Sequence, residues 1–193
     1  MNVNVTNILK KVKDFLKPQV ALFIAAILLF VSIFMPIMTP KKDARRELKK
    51  QIEYAEMMDN DSMRKECEAM LKPSTAKLFS TFVPGLISGE LQTGEAALLV
   101  VPVIALPLIL IVATVILAFF RKPHPVVILS VINFIVLLIQ KALFNLTFIK
   151  EASFKWDFGN GFMFFAVIFV TAVAIWNIRE NKKAKKTCAD VIQ

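Results

Sequence analysis

Four apolar blocks alternate with charged stretches along this chain, at residues 19–38, 96–120, 125–149 and 159–178. A bilayer core about 30 Å thick takes about 20 apolar helical residues to cross. Each block meets that length. The pattern predicts an all-α integral membrane protein: a four-transmembrane-helix bundle with a helical extracytoplasmic loop between the first two spans. The first block, QVALFIAAILLFVSIFMPIM, carries no charge and follows Lys10, Lys11, Lys13 and Lys17, as a signal peptide would. A signal h-region is only about 7–15 residues long and ends at a small-residue cleavage site. This block is longer and ends in Met35-Pro36-Ile37-Met38-Thr39-Pro40, so it is read as a retained span. Ala21, Ala25 and Ser32 fall on one of its faces and would permit close helix contact.

The second block is the most apolar and contains Pro102 and Pro107. Proline removes a backbone donor and bends a helix. In a membrane this is tolerated where neighbouring helices satisfy the freed carbonyls. The two prolines mark a bent, central helix or a hinge. Only Arg121-Lys122-Pro123-His124 separates this block from the third, which forces an antiparallel hairpin. The fourth ends in Trp176 and Arg179, an interfacial aromatic followed by a basic anchor.

Charge then orients the spans. The net charge is +9. The 1–18 segment, the 121–124 turn and the 179–193 tail lie on one side of a four-span protein and sum to +8. The 39–95 and 150–158 loops on the other side sum to zero, and Lys141 supplies the last unit. Positive charge favours the cytoplasmic side. Both termini are expected inside, in a multi-pass plasma-membrane protein. In the 1–18 segment, Ile8, Leu9, Val12, Phe15 and Leu16 recur at helical spacing opposite lysines. That fits a short interfacial helix, with a solvated tail as the alternative.

The 39–95 loop begins with helical signals. Thr39 suits a cap, and Pro40 the first helical position. Leu48, Ile52, Ala55 and Met58 follow helical spacing up to a break at Asp59-Asn60-Asp61. A second helix, capped by Asp61 or Ser62, runs to Lys72 and stops at Pro73. The apolar stripe needs a partner: the other helix, the membrane or another protein. Leu78, Phe79, Phe82, Val83, Leu86 and Ile87 then make 76–88 an interfacial segment, too short to span.

Candidate chemistry is sparse. Cys67 and Cys188 lie on opposite sides of the membrane, and His124 is alone in its turn. There is no nucleophile elbow, phosphate loop or dinucleotide fingerprint. No carboxylate interrupts an apolar block, which argues against a proton relay of acidic residues. No catalytic group, metal or cofactor is expected, and no nucleic-acid partner. The expected partners are the lipid bilayer and another membrane protein or a second copy of the chain.

The exception is the third block, where Ser130, Asn133, Gln140, Lys141 and Asn145 fall within an arc of about 140°. Polar groups on one face of a span point into the bundle. Lys141 lies about 24 Å beyond Pro125, close enough to the outer boundary to snorkel. The stripe is interhelical glue, or it lines a polar cavity. The chain therefore reads as a non-catalytic tetraspan interaction or assembly subunit working through its outer loop. The alternative is a small channel or transporter component with a cavity lined by the third span.

Overall fold

The computed structural model describes residues 17–87, 95–146 and 153–191. The expected amphipathic segment at 1–16 lies outside them, as do 88–94 and 147–152. Seven helices are described: α1 Pro18–Ser32, α2 Lys42–Met57, α3 Asp61–Leu71, α4 Thr75–Ile87, α5 Glu95–Phe119, α6 Pro123–Phe144 and α7 Phe158–Val191. Two three-residue strands, β1 Met38–Pro40 and β2 Phe154–Trp156, pair antiparallel with Met38 opposite Trp156.

Helices α1, α5, α6 and α7 pack in a ring, each against two of the others, and α4 lies along α5. Two of them, α6 and the Phe158–Lys183 part of α7, are long and apolar enough to cross a membrane. Small residues let α1 approach its neighbours: Ala21, Ala25, Ala26 and Ser32 are buried beside Leu22 and Leu29. Ser32 returns its hydroxyl proton to Leu29 O at 2.6 Å. The α5–α6 connection turns on Arg121, which adopts a φ of 55°. Helix α6 then starts on Pro123, where a missing amide costs nothing.

The first apolar block does not stay helical to residue 38. Pro36 disfavours a helical Met35, and α1 ends at Ser32. The chain continues through a turn into β1, with Ile33, Ile37 and Met38 all buried. Buried backbone outside regular structure must still find hydrogen-bond partners, and it does. Ile37 N–H donates to Pro73 O at 2.8 Å, while Ala76 N–H donates to Ile33 O at 3.0 Å and Asp157 N–H to Ile37 O at 3.0 Å. A Cβ on Gly159 would lie 2.2 Å from Pro36 O, so only glycine lets α7 start against this segment.

The loop helices also differ from expectation in their caps. Thr39 and Pro40 are in β1, and α2 begins at Lys42 without a side-chain cap. The Thr39 hydroxyl instead donates to Asp157 Oδ2. Asp157 also accepts from Phe158 N–H at 2.7 Å, placing a carboxylate at the positive end of α7. Asn60, rather than Asp61 or Ser62, caps α3 by accepting from Met63 N–H at 3.0 Å. Asp59, with φ 51°, makes the turn between α2 and α3.

The stripe on α2 finds its partner chiefly in α3, which folds back on it. Ala55, Cys67 and Ala69 are buried between them, whereas Met58 is 62% exposed. In α4, Leu78 joins the main core and Phe79 and Phe82 pack against it. The expected interfacial segment is thus a helix laid against the bundle, with Leu86 and Ile87 side chains outside the description.

Candidate functional site in the polar seam of α6

The buried residues of α6 are Val126, Ser130, Asn133, Leu137, Gln140 and Phe144. Their alternating spacing of four and three is that of a helix seam facing a bundle. Three of the five residues expected to form the polar stripe therefore face inward. Lys141 sits half-buried at the edge of the seam, and Asn145 is exposed beyond it.

The stripe divides into three environments. In the first, Ser130 donates to Val127 O at 3.1 Å. Thr171 Oγ1 from α7 lies 2.8 Å from Ser130 Oγ and 2.7 Å from Val167 O. These hydroxyls use helix carbonyls as their fallback, so neither is stranded.

One turn on, Asn133 is fully buried, and neither its amide nitrogen nor its oxygen has a hydrogen-bond partner among the described residues. Gln140 Nε2 is likewise buried without one. Such groups carry a desolvation cost of about 1–3 kcal/mol each.

In the third environment, Lys141 Nζ stands 5.8 Å from the Trp156 ring centroid and 5.5 Å from that of Phe164. Trp156 Nε1–H donates to Asn145 Oδ1 at 2.8 Å. The β1–β2 pair holds Trp156 at this end of the bundle. Among the described residues the lysine is met by two aromatic rings, an arrangement suited to the edge of a hydrocarbon layer.

The grooves flanking α6 are apolar. One of 190 Å³ is lined by Val103, Leu106, Val136, Ile139 and Gln140. The other, of 310 Å³, is lined by residues from Val131 to Ile175 that include Phe134 and Thr171. Among the described residues no group of three or more His, Cys, Asp or Glu could hold a metal ion. His124 is exposed. Helix α5 runs through both Pro102 and Pro107, and Pro107 is buried.

Cys67 is free and buried, with Sγ 3.6 Å from Gln51 Oε1. Burial pushes its thiol up from the ordinary value, and Glu66 adds to the shift.

Sequence reasoning missed the other polar residues of the ring, of which Thr171 meets the stripe at Ser130. Thr114, buried with its hydroxyl on Leu110 O at 2.7 Å, is the lone polar residue of its block. Thr171 and Asn177 are similarly isolated among apolar residues, and Asn177 accepts from Asn181 Nδ2 at 2.8 Å. A single polar side chain in an apolar block marks the inward face, and that signal was present. Trp156 and Phe164 carried no such mark. The chain matches no protein-family model, no curated protein and no solved structure.

Proposed function

We propose that this is a non-catalytic four-span membrane protein, an interaction or assembly subunit that presents the α2–α3 hairpin on the extracytoplasmic side, with both termini in the cytoplasm. One observation carries this reading. The ring of α1, α5, α6 and α7 is apolar on its outside, with Phe23, Ile27, Ile109, Ile116, Ile135 and Ile168 among its exposed residues. Serine, threonine and asparagine lie on its inside. Water would penalise that arrangement and lipid favours it. Although α1 has only 15 helical residues, the apolar stretch to Met38, in which Ile33, Ile37 and Met38 are buried, extends its reach. On the hairpin, Tyr54, Met57 and Met58 form an exposed apolar tip suited to a protein contact.

The test is a single thiol at the tip. Asn60→Cys with Cys188→Ser leaves only Cys67 besides the new thiol, and Cys67 is buried, with a raised thiol that makes it slow to react. Labelling by an impermeant reagent on intact cells supports the orientation. Labelling only after the membrane is opened places the hairpin inside. A Tyr54→Ser/Met57→Ser/Met58→Ser variant should lose whatever wild type co-purifies. If wild type runs alone as a monomer, the interaction role falls.

The unpartnered amide of Asn133 favours a second reading, a channel or transporter component with a polar path along α6. Asn133→Leu and Lys141→Met would then alter solute flux in vesicles. If both change stability alone, the seam is interhelical glue.

A further inference from the structure

The 39–95 loop is neutral as a whole, but its charge is segregated. Residues 41–50 carry six Lys/Arg against two acids, and residues 51–68 carry two against six. On α2, Lys42, Arg45, Arg46 and Lys49 recur at helical spacing and share an arc of about 100°. Glu53 and Glu56 continue the same arc, so one exposed face changes sign along its length.

The positive half is also the anchored half. Lys41 N–H donates to Ser153 O at 2.9 Å, tying the root of α2 to the strand pair at the end of the bundle. At about 1.5 Å per residue, residue 50 lies no more than about 15 Å from that tie, whatever the helix's tilt. Lys41, Lys42, Arg45, Arg46, Lys49 and Lys155 are all exposed there. The only ion pair described among residues 41–50 is Lys50–Glu47 at 4.0 Å, which involves none of these six.

We infer that this root is a binding surface for anionic phospholipid headgroups in the leaflet beneath the hairpin. The inference rests on the four-span reading, which puts the strand pair at a membrane surface. It does not depend on which surface. Phosphate oxygens are the acceptors that a row of ammonium and guanidinium groups fits. The attraction of basic groups to an anionic surface fades within a Debye length of about 8 Å at physiological salt. The root is the part of the hairpin tied to that surface. The acids further out oppose the same field, so binding at the root holds the tip away from the lipid.

The test uses the full chain reconstituted in phosphatidylcholine vesicles containing a minority of phosphatidylglycerol. The protein is re-extracted in mild nonionic detergent at low salt, and retained lipid per protein is measured. Arg45→Glu/Arg46→Glu/Lys49→Glu should retain less than about half the wild-type phosphatidylglycerol, with phosphatidylcholine unchanged. The corresponding triple glutamine variant should fall between, and it decides the matter if the glutamate variant does not fold. Lys182→Glu/Lys183→Glu on the opposite face should lower retention independently. Equal phosphatidylglycerol retention by wild type and both α2 variants overturns the proposal. So does a change in oligomeric state with retention unaltered, which would make the stripe a contact between copies. Neither result touches the Asn60→Cys labelling that tests the topology.

Discussion

The helix ring and the α2–α3 hairpin are built with opposite polarity. In the ring, large apolar side chains are exposed while Ser130, Thr114, Asn133 and Asn177 are buried. In the hairpin most charged residues are exposed, with Arg64 and Glu66 half-buried, and the buried residues are Ala55, Cys67 and Ala69. One chain thus contains two folding problems. In water, burying apolar area drives association. In lipid it cannot, so close packing and inward hydrogen bonds take over. On the four-span reading proposed above, each region obeys the rule of a different solvent, and that contrast generates sharp expectations.

The largest effect falls at the joint between the two regions. Gly159→Ala sets a Cβ against the Pro36 carbonyl, and it should cost about 4 kcal/mol or prevent folding, read as the loss of the detergent thermal transition. Next is the contrast itself. Ile135→Lys, on the exposed face of α6, should cost about 3 kcal/mol or disrupt insertion. Met57→Lys, at the 77% exposed tip of the hairpin, should stay within about 0.5 kcal/mol. Equal tolerance at the two sites would erase the distinction drawn between them.

Smaller effects sharpen it. Asn133→Leu should be neutral or stabilise the ring by about 1 kcal/mol, because an unpaired amide is exchanged for packing; a large loss would reveal a hidden polar partner. Trp156→Leu should cost about 1 kcal/mol through its contact with Lys141, and in a double-mutant cycle most of that cost should vanish in the Lys141→Met background.

The smallest concerns Cys67. Its raised thiol makes it slow toward maleimide at neutral pH, with a rate still climbing where an exposed thiol has levelled off. The stability tied to this raised value is full below the unfolded thiol's range and is lost as pH rises through the folded one.

The four apolar blocks, the hairpin break at Asp59 and the inward-facing hydroxyls of Ser32 and Ser130 were legible because each rests on local period or composition. Of the expected stripe, Ser130, Asn133 and Gln140 are buried while Lys141 is half-buried and Asn145 exposed, and its three environments were not legible, since Trp156 and Phe164 meet Lys141 only through tertiary packing. Thr39 misled for the same reason. Its hydroxyl could cap a helix beginning at Pro40, yet it reaches Asp157, 118 positions away. The segregation of charge on α2 disappeared once the loop was summed as a single unit. Orientation is similarly sensitive to counting. Lys and Arg alone number 11 on the terminal face and 12 on the hairpin face, so the net-charge bias comes from where the acids lie.

The strand pair has a consequence for assembly inside the cell. The footing of the hairpin emerges early from the ribosome, at residues 38–41, but its counterpart at 153–157 follows more than a hundred residues later. Until then α2 has no fixed base, and Ile37 O lacks the Asp157 amide, although Pro73 and Ala76 have already supplied their bonds to this segment. Closure of the ring is therefore a late event in synthesis, and a nascent chain halted before α7 would leave both the α1–α7 and the α6–α7 packing unmade.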